Sequence, residues 1–438
     1  MTSELISRRT ALLGSVGTVV AGSLTLAGCG GGSDGGGGGG TQLRAINLTN
    51  DLPSVDLLTD DTVQFGALAL EALPAYKGVD AKEYTLRVRR TGDGATLFSG
   101  AFTLGRDQNF TAVIWGRETS LRVSTLPENE DNNAIGSGNT RVRMFNATTD
   151  SGAVDVFFTS EAAVLGDTAP TQSAVGAGNL SGFREISAGT YRLRVTGVGD
   201  PNDVRLDISG IPLVARQHYN LVLTAGSGGV LLNGMLIQQQ QAATVLRNTR
   251  ARVRVVAGVD AAGVVGISAA GTTLVGGLRS PSVGPYQLVN AGALPLQVRV
   301  GGNVVFDASR TFLAGADYTL MVYGPPAAPE IRLIVDDNRL PSLNNRVKIR
   351  LIHGANGVVG PITLSADFLA LATDIALGAG SAYATTLSSA SVRVDVTSAS
   401  AAGPLFEQTA VNLQGQSVYT VFLLGGNAAP TGVIRKER

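Results

Sequence analysis

The feature that most constrains this chain is a strand pattern that occurs four times between Thr41 and Arg438. Each copy has an alternating first strand, a second alternating strand, an apolar strand and a short closing strand, always in that order. The copies recur about every 100 residues, which is the size of a small domain. The apolar strands read NFTAVIWG from Asn109, HYNLVLTAG from His218, DYTLMVYG from Asp317 and VYTVFLLGG from Val418. This repeat predicts four tandem modules.

The side-chain pattern within each copy predicts β-strands. Tyr84, Leu86 and Val88 alternate with polar residues, the period of a strand with one buried face. The strand around residues 320–323 is apolar on both sides, which predicts a central strand covered on two faces. No segment after Thr41 has a sustained helical period with caps. About seven short strands per module predict an all-β chain of tandem immunoglobulin-like β-sandwiches.

The linkers between the copies set the predicted domain boundaries. PENEDNNAIGSGN follows the first copy, QQQQAATVLRN follows the second and DDNRLPSLNN precedes the fourth. Polar and amide-rich runs of this kind are typical of connections between compact units. The predicted sandwich modules cover residues 41–137, 138–245, 246–343 and 344–438.

Residues 1–28 have the composition of an export signal. Arg8 and Arg9 precede an apolar stretch that glycine, serine and threonine dilute. A membrane-spanning helix needs about 20 strongly apolar residues, so a cleaved signal is the better interpretation. The paired arginines, with leucines shortly after them, resemble a twin-arginine signal.

The signal ends at Leu26, Ala27, Gly28 and Cys29, which resembles the bacterial lipobox. The resemblance implies cleavage before Cys29, acylation of its sulfur and anchoring to a membrane through the attached chains. Glycine at position 30, by its similarity to Gram-negative lipoproteins, implies the outer membrane, on its periplasmic side or at the cell surface. The glycine-rich residues 29–40 are then expected to form a flexible, disordered tether.

The strands and turns of the mature chain resemble the bacterial domain-of-unknown-function family 4397. The similarity covers essentially all of residues 41–438, and the family supplies no established activity. The residues that carry it are Val154-Asp155-Val156, Ala188-Gly189-Thr190-Tyr191, Gly315 to Leu320, Val335-Asp336-Asp337, Leu351 to Ala355 and Gly415 to Val421.

Composition excludes several classes of function. Lysine plus arginine and aspartate plus glutamate number 34 each, so the chain has no charge excess to attract nucleic acid. Cys29 is the only cysteine, which excludes an intramolecular disulfide and a cysteine-based zinc site. We therefore expect no cofactor, no metal and no nucleic-acid partner.

Several side chains could carry chemistry, and each has a structural alternative. His218 and His353 lie in different modules, which favours structural roles over a metal site or a catalytic triad. Carboxylates at the linkers could bind calcium or be solvated linker charge, and we favour the latter. These carboxylates are Glu128, Glu130, Asp131, Asp336 and Asp337.

Trp115 and a recurring arginine raise the question of a binding surface. An exposed tryptophan would suit a sugar or protein contact, but a cap on the sandwich core is the preferred interpretation. The arginine recurs at one place in the first strand of each copy, where a solubilising edge charge is favoured over an ordered external stripe. Its four positions are Arg44, Arg143, Arg254 and Arg350.

The sequence therefore predicts a non-catalytic, lipid-anchored envelope protein whose modules serve binding, adhesion or spacing, with an envelope protein or a glycan as the unknown partner. An alternative is a carbohydrate- or polymer-binding lipoprotein, although aromatic residues are only 5% of the chain. A more remote alternative is a glycosidase, which needs two carboxylates roughly 5–10 Å apart across a cleft.

Overall fold

The computed structural model describes residues 40–261, 263–426 and 430–438. From Gly39 to Arg438 the chain forms one compact unit. Its regular structure is β-strand throughout, with three single-turn 3-10 helices in loops at Glu118–Ser120, Asn132–Ala134 and Leu165–Asp167. Among the described residues, no helix has the length and apolar character that crossing a membrane would require.

The first two modules contain strands β1 to β17. Module one has β1 (Thr41–Thr49), β2 (Ser54–Thr59), β3 (Thr62–Ala69), β4 (Lys77–Val79), β5 (Glu83–Arg90), β6 (Thr96–Thr103), β7 (Asn109–Gly116) and β8 (Arg122–Pro127). Module two has β9 (Asn139–Asn146), β10 (Val154–Thr159), β11 (Gln172–Val175), β12 (Arg184–Ser187), β13 (Gly189–Gly197), β14 (Asp200–Leu213), β15 (His218–Ala225), β16 (Leu232–Gln238) and β17 (Ala243–Leu246).

The last two modules contain strands β18 to β33. Module three has β18 (Arg250–Val259), β19 (Val264–Ala269), β20 (Thr272–Arg279), β21 (Ser282–Asn290), β22 (Gly292–Val300), β23 (Asn303–Phe312), β24 (Asp317–Gly324) and β25 (Glu330–Asp336). Module four has β26 (Arg346–Ala355), β27 (Ile362–Ala366), β28 (Leu369–Ile375), β29 (Ala384–Leu387), β30 (Ser389–Ser398), β31 (Phe406–Leu413), β32 (Ser417–Gly425) and β33 (Thr431–Lys436).

Every module uses the same two-sheet topology. Its first, fourth, seventh and eighth strands form one sheet in the order 4-1-7-8, which we name the inner sheet. Its second, third, fifth and sixth strands form the other in the order 3-2-5-6, which we name the outer sheet. In module two, β17 adds a fifth strand to the inner sheet. The first strand runs parallel to the seventh in all four copies.

A separate apolar core lies between the two sheets of each module. Alternation builds it, because every second side chain of a strand points to the same face. In β5, Tyr84, Leu86 and Val88 are buried while Thr85 and Arg87 are partly exposed. The predicted tandem β-sandwich fold is confirmed, with eight sandwich strands in modules one, three and four and nine in module two, rather than about seven. The predicted boundaries between modules stay predictions.

A second kind of apolar layer joins the modules two by two. The inner sheets of modules one and two, hereafter the first pair, pack face to face around Trp115, Phe145 and Met235. Those of modules three and four, the second pair, pack in the same way around Met321 and Phe422. The seventh strands are therefore buried on both faces, as their sequence predicted. The sandwiches are not simply serial units.

The two pairs also contact each other through the glycine turn that follows β15. Gly228 donates its backbone N–H to the carbonyl of Gly315 at 2.8 Å and accepts from the N–H of Asn338 at 3.0 Å. Gly229 has a left-handed φ of +87°, and a Cβ there would lie 2.6 Å from the backbone of Arg339. Only glycine satisfies both conditions, so this turn can lie flat against module three.

Candidate functional site

The most distinctive polar site of the protein is built four times around the recurring first-strand arginine. These arginines lie on the inner sheets, on the face turned toward the partner module. Each is nearly excluded from solvent, with exposures of 4% for Arg44, 6% for Arg143, 2% for Arg254 and 1% for Arg350. The prediction of a solubilising edge charge is wrong, because the pairing of inner sheets covers the face that would otherwise meet water.

Each arginine has the same two neighbours within its own module, and we name the three side chains an arginine cluster. Its Nε donates to a hydroxyl or amide oxygen on the seventh strand: Thr111 at 2.9 Å, Asn220 at 2.5 Å, Thr319 at 2.8 Å and Thr420 at 3.3 Å. Its guanidinium lies over an aromatic ring at or just before the fourth strand: Tyr76, Phe183, Tyr286 and Tyr383, at 4.4–4.7 Å. Stacking of this kind suits the planar, weakly hydrated guanidinium.

In the first pair, one carboxylate completes the cluster of module one. Glu128 is fully buried and accepts from Arg44 at 2.7 Å, Tyr76 at 2.6 Å and Thr111 at 2.6 Å. Module two contributes directly, because the backbone N–H of Gln240 donates to the same carboxylate at 2.9 Å. The cluster thereby connects the two modules. Burial, together with the charge of Glu128, raises the pKa of the Tyr76 phenol.

Arg143, on the facing module, is held in a different way. Its Nη2 donates to the carbonyl of Pro127 at 2.5 Å, and its Nε reaches the amide oxygen of Asn220. No carboxylate in the described part of the chain forms a salt bridge with it. Burial lowers the pKa of Arg143 below its usual range, as expected for a cation removed from water.

In the second pair, Asp336 and Glu437 connect the clusters of both modules. Asp336 accepts from Tyr286 and from Thr319, both at 2.7 Å, and also pairs with the guanidinium of Arg350. Glu437, from module four, accepts two hydrogen bonds of 2.6 Å from Arg254 of module three.

The electrostatics of this network follow from two opposed effects. Burial by itself would raise the pKa of Asp336, but the charges of Arg350 and Arg254 outweigh it and hold that pKa below its usual range. Burial also strongly raises the pKa of Tyr286, with the neighbouring Asp336 acting in the same direction. At neutral pH the carboxylate is therefore charged and the phenol stays protonated to donate to it.

The linker carboxylates are mostly partnered. Asp337 pairs with Arg339 at 2.7 Å and with Lys348 at 3.0 Å. Burial opposes ionisation there, but the Arg339 and Lys348 contacts lower the pKa of Asp337 well below its usual range. Glu128 and Asp336 are buried, so the prediction of solvated linker charge is wrong for these two residues, whereas Asp337 is partly exposed and ion-paired. No cluster of three potential metal ligands exists among the residues that the structure describes.

The two histidines are buried. His218 bonds through Nδ1 to Asn132 at 2.8 Å and packs edge-on against the ring of Phe183. His353 is fully buried, and burial lowers its pKa to about 4. They lie in different modules, and neither is brought to a carboxylate and a hydroxyl in the order a catalytic triad needs.

Trp115 belongs to the layer between modules one and two rather than to a sandwich core. It is 2% exposed, meets Phe145 edge-to-face at 5.7 Å and donates to Ser124 at 3.1 Å. Its side chain lies on the face of β7 that is turned toward module two, where it contacts that module. The predicted cap on the sandwich core is therefore wrong. A surface platform is excluded by the same burial.

The residues predicted for export and lipidation lie outside the described residues. They are Arg8, Arg9, Leu26, Ala27, Gly28 and Cys29.

The similarity of this chain to a known protein family follows the repeat of its modules. Residues 41–157 and 251–359 match the profile of the domain of unknown function DUF4397. The chain belongs to this family. The matched regions begin at the first strands of modules one and three, the leading modules of the two pairs. No curated protein matches the sequence.

Two solved structures are similar over large parts of the chain. One is a candidate cell adhesion protein of Bacteroides ovatus, at 10% identity and a TM-score of 0.20, covering 47% of this chain and 98% of its own. The other is the TIE protein of Bacillus anthracis, at 10% identity and a TM-score of 0.15, covering 86% of this chain and 68% of its own.

Proposed function

We propose that this DUF4397 protein is a non-catalytic, lipid-anchored component of the cell envelope that presents a stiff, four-module β-sandwich array for binding, adhesion or spacing. Cys29 carries the lipid and residues 29–40 form the tether. The anchoring membrane is the outer membrane of a Gram-negative bacterium.

One observation supports this role most directly: the charged side chains that recur in every module are used to join modules. Glu128 and Asp336 each bind groups from two modules, in sites closed to solvent. A charged pair buried in this way is costly to separate, because either partner alone would be left without compensation. Such contacts suit a protein that must keep its modules at a fixed orientation.

The localisation part of the proposal has a direct test. A labelled fatty acid should be incorporated into the full chain and lost in Cys29→Ser, which should move from the membrane fraction to the soluble fraction. Ser33→Ala, in the same tether, is the matched control and should behave like the natural chain. Labelling that persists in Cys29→Ser would contradict the anchor. Substitution of Arg8 and Arg9 by lysine should retain unprocessed protein in the cytoplasm.

The binding part is tested with the anchored protein on cells. Cells that display the natural chain should adhere to envelope material or to neighbouring cells more strongly than cells carrying Cys29→Ser. Specific retention on a purified glycan would favour the carbohydrate-binding alternative. Turnover of a substrate that one carboxylate substitution abolishes would contradict a non-catalytic role.

A further inference from the structure

Module one contains an apolar groove that its sandwich core does not fill. The groove has a volume of about 650 Å³ and runs along β3 and the segment that follows it. Phe65 and Leu68 are buried at its base, and Ala67, Ala69 and Leu73 line its walls. We name it the module-one groove.

The groove results from the way the chain changes sheets. β3 begins in the outer sheet, and at Leu70 the chain forms a bridge to Asn47 of the inner sheet. Just before this crossing, Ala67 has a left-handed φ of 47° and donates its N–H to the carboxylate of Asp56 at 2.7 Å. Alanines at positions 67, 69, 72 and 75 line the groove, and these short side chains leave the corner between the sheets open.

The groove and the residues that flank it, hereafter its rim, are largely apolar, and Lys77 is the one charged residue that lines it. Val63 and Leu70 flank the lining segment 64–69 in sequence and are 52% and 47% exposed. From Thr62 to Tyr76 the sequence TVQFGALALEALPAY has Glu71 as its only charged residue, and Glu71 pairs with Arg247. A surface of this composition gains free energy by meeting another apolar phase.

The position of the groove points to the bilayer as that phase. Thr41 and Leu43 of β1 pair with Val79 and Lys77, and Lys77 borders the groove. Cys29 precedes Thr41 by about 12 residues, and a glycine-rich chain of that length spans roughly 20 Å on average. Of the four modules, module one alone is connected directly to the tether, so its apolar groove is within reach of the anchored lipid.

We propose that the module-one groove docks on the membrane that holds Cys29. The inference rests on the proposed lipid anchor and adds to it a defined face of contact. A few half-exposed apolar side chains bind a bilayer weakly by themselves. A short, glycine-rich tether raises the effective concentration into the millimolar range, which converts this weak affinity into stable docking. The proposal does not require anionic lipid, because the carboxylates of Asp60 and Asp80 lie beside the start of β1 and would repel it.

The test uses the chain from Cys29 onward, whose only thiol is that of Cys29. The thiol is coupled to phosphatidylcholine vesicles that contain a maleimide lipid and acyl-brominated phosphatidylcholine. Leu70→Trp places a fluorophore on the rim, and Leu313→Trp places one at an exposed apolar site of module three. We name the two fluorophores the rim tryptophan and the control tryptophan. Trp115 is buried and common to both variants.

The expected result is a difference in quenching between the two variants. Brominated acyl chains should quench the rim tryptophan at least twofold more than the control tryptophan, and only after coupling. Equal quenching of both in the coupled chain would overturn the proposal, and it is the outcome expected if a protein or peptide occupies the groove.

A variant with added charge near the groove tests whether apolar contact causes the docking. Ala69→Glu combined with Ala75→Glu adds two charges at exposed positions. It should reduce the quenching of the rim tryptophan to the level of the control while the thermal unfolding midpoint stays unchanged. Quenching that persists with both charges present would also overturn the proposal. Because the coupling is chemical, these results are independent of whether cells acylate Cys29, which the Cys29→Ser fractionation reports separately.

Discussion

The first and second pairs join their modules with the same arginine clusters but balance the buried charge differently. In the second pair, Asp336 and Glu437 neutralise Arg254 and Arg350. In the first pair, Glu128 is the only carboxylate among the described residues in salt-bridge contact with either cluster, and it pairs with Arg44.

The difference shows what the cluster requires. Arg143 keeps its place with a carbonyl, an amide oxygen and the ring of Phe183. Hydrogen bonds and stacking can therefore hold a buried guanidinium where no acid accompanies it. The acid provides additional coupling between modules and does not set the conformation of the arginine itself. The substitutions in the arginine clusters below test that distinction.

The largest effect is expected for Asp336→Asn. The substitution leaves Arg350 buried without a carboxylate and weakens the hold on Arg254. Removal of one partner of a buried ion pair costs about 3–5 kcal/mol, and this loss should appear in the free energy of unfolding of modules three and four. Urea unfolding combined with hydrogen exchange measures it. Asp374→Asn, at an exposed position of β28, is the control and should change the value by less than about 0.5 kcal/mol.

The next prediction distinguishes the two pairs by the pH dependence of their stability. At matching positions near the end of the first strand, module two has Asn146 and module four has His353. His353 is neutral in the fold with a pKa of about 4, whereas an unfolded histidine titrates near 6.5. The contribution of His353 to the stability of the second pair should be complete above pH 6.5, decrease as the pH falls and stop decreasing below about 4.

The matched substitution is His353→Asn, which gives module four the asparagine that module two has at this position. It should remove about 1–2 kcal/mol of the stability difference between pH 7 and pH 5, as measured by urea unfolding at both values. The carboxylates of Asp336 and Asp337 have lowered pKa values, so their contribution is lost only at lower pH. An unchanged pH profile in His353→Asn would show that another group titrates.

A smaller effect than that of Asp336→Asn is expected for Glu128→Gln in the first pair. The amide oxygen can still accept from Arg44 or Tyr76. Glu128 forms a salt bridge with one arginine, whereas Asp336 forms salt bridges with two, so less buried charge is left unpaired. We expect a loss of about 1–3 kcal/mol, localised by hydrogen exchange to the layer between modules one and two. A loss larger than that of Asp336→Asn would contradict the idea that the second pair depends more on its acids.

The smallest effect is expected for Arg143→Met, because methionine fills similar space and leaves no carboxylate behind. Replacement of a buried ionic group by an apolar one is often neutral, so the free energy of unfolding should change by less than about 1 kcal/mol. Arg350→Met is the mirrored variant and should be clearly destabilising, since it removes a partner of Asp336. Equal losses in both would show that the two pairs do not differ.

The strand repeat could be predicted from sequence because alternation and apolar runs are local. The burial of Tyr84, Leu86 and Val88 follows from period two alone. The apolar sequences of the seventh strands predicted that both faces of these strands are covered. This was the sequence signal for the apolar layer between paired inner sheets. The signal did not name the covering surface, since a second sheet, a helix or another chain would satisfy it equally.

The arginine clusters show where local reasoning fails. An arginine that alternates with apolar residues has the pattern of a solvent-facing strand position. The missed signal was its aromatic partner: Tyr76, Phe183, Tyr286 and Tyr383 each precede or occupy the fourth strand of their module. Four arginines matched by four aromatic rings in one register would have indicated stacked, buried cations.

The sequence by itself determined that this protein is a tandem array of two-sheet modules, because side-chain alternation fixes which face of each strand avoids water. Only the tertiary structure decided that the modules join in pairs and that Arg44, Arg143, Arg254 and Arg350 lie inside. The physical reason is that burial of a charged residue depends on what covers its face, and that cover comes from strands some hundred residues away.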